Sequence, residues 1–381
     1  MARATRPGRI STGRTRAERT SEENRRRRAG FCCHAQCGHR VDVIARWEVL
    51  AYSARLPTGR GYVLRVYDEA GRVGLGEARA LPGFGTGPDT VEAFLGSREA
   101  VRSLLDRPAA DAATPVEALF AVETAIADIA AQVRGVSLVE HLGFDVPDSL
   151  SNSLLVDNEA DALRLLRDGH RNFKLKAQGA APETLSLLQR LHAASEGTTN
   201  IRIDANGSWD RDPALAFLHK APPDSISFVE QPFPVGDLDS CAWLRKQTGI
   251  PIALDEGILS ADDITKAAQA GAASLVVIKP MYRGLHGALT LARAAADSGL
   301  GACVTHAMDA TVGRLAAMHV AAAVDAICSE SHWPHGLYAP GLTSLADEPE
   351  LQPDCLLMPG GQGLGCHGLH QHELELICAS A

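Results

Sequence analysis

Five short runs decide the fold of this 381-residue chain. They are Phe173-Lys174-Leu175-Lys176, Ile201-Arg202-Ile203-Asp204, Ile226-Ser227-Phe228-Val229-Glu230, Ile252-Ala253-Leu254-Asp255 and Leu275-Val276-Val277-Ile278-Lys279. Each is rich in apolar residues and ends in an ionisable side chain. Apolar runs of this length predict short buried strands, as in parallel sheets. Amphipathic helical sequence separates them, for example at 261–270 and 288–298. Similar runs at 152–156, 302–305 and 326–329 extend the series to eight. Eight strands alternating with helices predict a β/α barrel. An open doubly wound sheet fits less well, because no Gly-rich phosphate loop follows the first strand.

In a barrel, the C-terminal ends of the strands converge on one mouth. Lys174 and Lys176, Asp204, Glu230, Asp255 and Lys279 would therefore meet there. One charge past a buried strand is ordinary; five successive strands ending this way are not. Three carboxylates on neighbouring strands make a hard oxygen site suited to Mg²⁺, and without a cation they would repel one another. Lysines beside a divalent cation and each other are expected to have lowered pKa values. A lysine so poised serves as a base. Metal and base together suit removal of a proton α to a carboxylate, because the metal offsets the charge that develops.

The rest of the chain frames this region. Residues 41–148 begin with β-like runs at 43–54, 62–68 and 73–77, then show helical patterns at 90–105 and 116–133. They predict an α+β unit before the barrel. The overall charge of −9 hides an asymmetry: residues 1–40 hold eleven Arg and three Glu, a net +8, against −17 for the remainder. The arm has no apolar periodicity and is expected to be disordered. Arg25 to Arg28 resemble a twin-arginine signal, but no apolar segment follows. Cys32, His34, Cys33, Cys37 and His39 match no standard zinc spacing. No aromatic residue interleaves the Arg run, which argues against nucleic acid. Nine cysteines, an odd number, do not form a disulfide framework and predict a reducing, cytoplasmic setting. No run approaches the ~18 apolar residues of a membrane helix.

The quoted segments resemble the enolase superfamily in its muconate lactonizing enzyme subgroup. The resemblance rests on Lys174-Leu175-Lys176, Asp204-Ala205-Asn206, Val229-Glu230-Gln231-Pro232, Asp255-Glu256 and Val277-Ile278-Lys279-Pro280. It spans about residues 41–365. It implies a modified (β/α)7β barrel at 149–345, a capping domain at 41–148 completed by 346–381, and a disordered arm at 1–40. Within the subgroup the sequence is most similar to the o-succinylbenzoate synthase family. The features are Gly76-Glu77 followed by Leu81-Pro82-Gly83-Phe84, Arg202 two residues before Asp204, Gly284 after the Lys279 strand, and the segment from Thr305 to Gly313. That last segment departs from the family: Thr305, His306 and Ala307 stand where serines recur, and Asp309 where Glu does. The run from Pro57 to Gly61 falls where the family's mobile cap loop closes over substrate.

The resemblance implies Mg²⁺, with Mn²⁺ as a substitute, on Asp204, Glu230 and Asp255. Lys176 would take the α proton of 2-succinyl-6-hydroxy-2,4-cyclohexadiene-1-carboxylate, and Lys279 would stabilise the enediolate from the other face. Loss of the β hydroxyl would give o-succinylbenzoate, a step of menaquinone biosynthesis. Lys174, Arg202, Asn206, Glu256 and Thr305 would contact substrate or support the ligands. The expected partner is a small-molecule carboxylate, with no membrane; oligomeric state is left open. Two rivals stand beside this reading. One is an N-acylamino acid racemase, dipeptide epimerase or cycloisomerase on the same site. Epimerases usually carry an Asp-x-Asp pair at the eighth strand, which 328–332 lack. The other is a non-catalytic protein whose basic arm binds an anionic partner.

Overall fold

The computed structural model describes residues 44–55, 59–109, 111–338 and 341–380. The Arg-rich arm, with its cysteines and histidines, and Pro57-Thr58 of the cap loop lie outside the described residues.

The N-terminal unit opens with strands β1 (Arg46–Ala54), β2 (Gly59–Tyr67) and β3 (Val73–Ala78). They pair antiparallel as a meander. The β2–β3 turn closes through the Gly71 N–H donating to the Asp68 carbonyl, with Gly71 at φ +81°. Helices α1 (Pro88–Leu95), α2 (Arg98–Asp106), α3 (Val116–Arg134) and α4 (Leu138–His141) follow. The single helix expected over 90–105 is two. The chain breaks at Gly96, and Ser97 caps α2 by accepting the Ala100 N–H. Such a cap satisfies an otherwise orphaned donor and restarts the helix. Helix α3 lies directly on β3: a Cβ at Gly76 would stand 1.8 Å from the Ala121 carbonyl oxygen.

The main sheet is entirely parallel. Strand β4 (Ser149–Ser151) belongs to a small separate sheet, and β5 (Leu154–Leu155) starts the barrel wall. Then come α5 (Glu159–Arg167), β6 (Asn172–Lys176), α6 (Pro182–Ala194), β7 (Asn200–Asp204), α7 (Arg211–Lys220), β8 (Ile226–Glu230), α8 (Leu238–Thr248), β9 (Ile252–Leu254), α9 (Ala261–Gln269), β10 (Leu275–Ile278), α10 (Leu285–Asp297), β11 (Gly301–Val304) and α11 (Thr311–Ile327). The seven strands β5 to β11 pair in chain order.

The eighth strand is not where the sequence placed it. Ala326 and Ile327 end α11 instead, Cys328 caps it with its N–H donating to the Val324 carbonyl, and Ser329 lies in the turn beyond. So short an apolar run fits either period, and here its first two residues continue an alanine-rich helix. The wall is closed by His335 and Gly336, which bridge Asn152 on one side and Thr305 on the other. The bonds are Ser153 N–H to the His335 carbonyl at 2.7 Å and His306 N–H to the Gly336 carbonyl at 2.9 Å. His335 is fully buried, and its Nδ1 accepts the Val304 N–H.

After the barrel, β12 (Leu351–Gln352) and β13 (Cys355–Leu357) join β4, and β14 (Glu375–Ala379) returns to pair with β1. The largest apolar cluster lies between the wall and the helices around it. A smaller one fills the barrel interior: Phe228, Ala253, Leu275, Val277 and Cys303, with Trp333 against it. The Trp333 ring meets Phe228 edge-on at 5.6 Å. Gly301 leaves it room, since a Cβ there would stand 2.4 Å from the indole nitrogen. No helix among the described residues is long and apolar enough to cross a membrane.

Candidate active site

Strand periodicity builds the mouth. Side chains two apart share a face. Phe228, Ala253, Val277 and Cys303 fill the interior, so Glu230, Asp255, Lys279 and Thr305, two residues on, stand on the same face one layer up. The register of β6 to β8 adds two more strands. Lys174 pairs with Arg202 and Arg202 with Phe228, while Lys176 pairs with Asp204 and Asp204 with Glu230. Five charged strand ends thus share one end of a barrel whose interior beneath them is apolar.

All three carboxylates are buried, each less than 5% exposed. The Lys174 ammonium sits between two of them, 2.6 Å from Asp204 Oδ2 and 3.0 Å from Glu230 Oε2. Arg202 is 1% exposed, and its guanidinium reaches Glu230 at 3.5 Å. Lys279 contacts Asp255. Burial would raise the Glu230 carboxyl, but Lys174 and Arg202 outweigh it and hold it down at about 2. Burial lifts Asp255 to about 7 despite Lys279. For Lys174, burial acts to lower the ammonium, yet Glu230 and Asp204 leave it raised. The lowering expected of mouth lysines is therefore reversed at Lys174, because its own partners are anionic. Lys176 is exposed at the tip of β6, on the face it shares with Lys174.

The remaining expected residues fall around this centre. Asn206 and Glu256 bond each other, Nδ2 to Oε1 at 3.1 Å, linking the loops after β7 and β9. Thr305 follows β11, and its buried hydroxyl has no protein partner. His306 accepts the Met308 N–H on Nδ1. Burial, with the Arg314, Lys174, Arg202 and Lys279 cations nearby, pushes its imidazole down to about 3, so it stands neutral. Cys241, Cys303 and Cys328 are buried.

Two participants carried no role in the sequence. Phe84, from the Leu81-Pro82-Gly83-Phe84 loop, brings its ring 5.9 Å from the Lys279 ammonium and stacks on Tyr282. Its loop was visible, but its placement depends on how the N-terminal unit packs. Gln231 lies buried between the carboxylate strands.

The donor set fits a hard divalent cation: three carboxylates, with no thiolate or imidazole among them. Glu256 adds a buried carboxylate oxygen without a partner. As placed, the carboxylates turn onto lysines. Among the described residues, no three His, Cys, Asp or Glu side chains stand close enough to share one ion.

Known proteins agree with this architecture. Residues 157–368 match the family described as enolase C-terminal domain-like. An L-Lys-D/L-Arg epimerase of Methylococcus capsulatus is 34% identical over 59% of this chain, a match spanning 64% of that enzyme. A chloromuconate cycloisomerase of Cupriavidus pinatubonensis is 28% identical over 80% of this chain and 87% of its own length. An o-succinylbenzoate synthase of Thermosynechococcus vestitus is 31% identical over 61% of this chain and 71% of its own. The muconate cycloisomerase structure from Pseudomonas fluorescens superposes with a TM-score of 0.73 over 86% of this chain and 97% of that one, at 22% identity. A parallel barrel, a cap sheet and a mouth of lysines and carboxylates thus occur with a family match over more than half the chain, and the chain belongs to the enolase superfamily, with a muconate cycloisomerase-like fold.

Proposed function

We propose that this protein is a Mg²⁺-dependent dehydratase that converts 2-succinyl-6-hydroxy-2,4-cyclohexadiene-1-carboxylate to o-succinylbenzoate. The observation that carries the reading is the lack of an acid on the segment that closes the mouth. Lys174, Arg202 and Lys279 set cations against the carboxylates of the mouth, while the closing segment from Trp333 to Tyr338 holds no acid. The segment that closes the wall thus lacks an acidic pair for a dipeptide's ammonium. A substrate with two carboxylates and no ammonium suits such a mouth. Two o-succinylbenzoate synthases among the relatives support the same choice.

Enolase-superfamily members typically use Mg²⁺. Asp204, Glu230 and Asp255 would hold it, and when bound it supplies positive charge to the carboxylate beside the reacting carbon. Lys176 accepts the α proton on Nζ, from the tip of β6. Lys279, four strands away just past the end of β10, faces the developing negative charge from the other side. The C–H electron pair enters the ring as the β C–O bond breaks. The departing hydroxide takes the proton back from Lys176 and leaves as water. Atoms balance, Lys176 ends neutral as it began, and aromatisation drives the step. Lys174 and Arg202 hold Glu230 ionised throughout.

The test is turnover of the cyclohexadiene substrate by the purified full chain with Mg²⁺, followed as formation of the aromatic product. Activity that requires metal and is lost in Lys176→Ala and Lys279→Ala is expected. A folded protein that is inactive here but turns over a muconate, or racemises an N-succinylamino acid, would replace this reading with the cycloisomerase or racemase one.

A further inference from the structure

We infer that Gln231 is a positioning residue that fixes the backbone spacing from which the Glu230 and Asp255 side chains extend and so sets the affinity of the site for a divalent cation. The inference rests on reading Asp204, Glu230 and Asp255 as the metal-holding set.

Gln231 follows Glu230 directly and is 2% exposed. Its backbone is left-handed, with φ +39°. That region is unfavourable for a residue with a side chain and persists only where surroundings enforce it. Four hydrogen bonds do so here. Its N–H donates to the Ala253 carbonyl on β9 at 2.8 Å. Its carbonyl accepts the Gly207 N–H at 2.7 Å, from the loop that follows Asp204. The side-chain Oε1 accepts the Asp255 N–H at 3.0 Å. The side-chain Nε2 donates to the Phe233 carbonyl at 2.9 Å.

One residue thus touches the segments bearing all three carboxylates. Strand β9 ends at Leu254, so the Asp255 N–H has passed beyond the ladder, and the Gln231 amide takes the place of a strand partner. The left-handed turn swings that amide from β8 across to β9. A backbone spacing fixed this way is set before any cation arrives, so that the carboxylates need only turn from their lysines, and pre-organisation by supporting hydrogen bonds governs metal affinity. An amide suits the position because it accepts from Asp255 and donates to Phe233 at once without adding charge.

Mn²⁺ binding, read by electron paramagnetic resonance of the free ion, tests this on the full chain. Gln231→Met keeps the length and removes both side-chain bonds; about 10- to 100-fold weaker Mn²⁺ binding is expected, with a thermal unfolding transition still present without metal. Gln231→Glu keeps the acceptor for the Asp255 N–H, and is expected to bind Mn²⁺ more tightly than Gln231→Met. It also provides the readout should Gln231→Met fail to fold. Wild-type affinity in a folded Gln231→Met protein, or affinity in Gln231→Glu no better than in a folded Gln231→Met, overturns the inference alone. Absence of Mn²⁺ binding by the unaltered chain overturns the metal reading and this inference with it.

Discussion

Two groups of buried acids in this molecule are neutralised in different ways. At the barrel mouth, Asp204, Glu230 and Asp255 face Lys174, Arg202 and Lys279. At the seam between the N-terminal sheet and the barrel, Glu77 meets fixed donors. Tyr52 OH and the Ala310 N–H each donate to Oε1 at 2.6 Å, and the Gly313 N–H donates to Oε2 at 2.7 Å. The two N–H groups open α11, where a carboxylate is also favoured by the helix dipole. Lysine ammoniums on flexible stems can trade one anion for another. Backbone N–H groups cannot leave. The mouth is built for changing charge partners, and the seam for holding two units together.

The largest expected effect separates the two directly. Lys176→Ala should lower kcat by about 10²–10⁴-fold, the usual contribution of a positioned acid–base group. Its unfolding midpoint in urea should not move, because no ion pair holds that side chain among the described residues. A loss of stability instead would place Lys176 with the structural groups.

Glu77→Ala should do the reverse. Three buried donors lose their acceptor at about 1–3 kcal/mol each, so a loss of at least about 3 kcal/mol is expected in urea unfolding. A variant of full stability and no activity would erase the distinction between seam and mouth. Gly313→Ala sharpens the same point with a smaller change. A Cβ there would stand 2.8 Å from the Asp309 Cβ and 3.2 Å from the Glu77 carboxyl carbon. Overpacking of this kind costs about 1–3 kcal/mol.

The smallest effect is one of sign. Burial, reinforced by Glu77, lifts Asp309 at the seam to about 8 from an ordinary 3.8. The folded chain therefore holds that proton more tightly than the unfolded one. The stability it contributes is full below pH 3.8 and is lost as pH rises towards about 8. Glu230 at the mouth is held at about 2 against an ordinary 4.5, so its contribution is lost only as pH falls from 4.5 towards 2. Asp309→Asn should flatten the decline in unfolding midpoint between pH 5 and 8, and an unchanged slope would show that Asp309 is not the group responsible.

Much of the mouth was legible because strand chemistry is local. Lys174, Asp204, Glu230, Asp255 and Lys279 each follow an apolar run, and period-two alternation puts them on one face. The eighth strand was not legible. His335 and Gly336 are too short for any periodic signal, and they count as a strand only through partners at Asn152 and Thr305. Residues 326–329 misled for the complementary reason, since so short an apolar run carries no period of its own. Gln231 stood in a quoted motif, but its role needs a left-handed backbone and a neighbour 24 positions away.

By itself the sequence determined the alternation of strand and helix, the burial of the wall and the set of charges at its rim. Those follow from side-chain periodicity and transfer out of water, which act over a few residues. The tertiary structure alone decided which cation faces which carboxylate, how Glu77 ties the cap to α11, and where the barrel closes. Each of these is a contact between segments far apart in the chain, made by hydrogen bonds and ion pairs whose strength depends on distances of a few ångströms that no local pattern encodes.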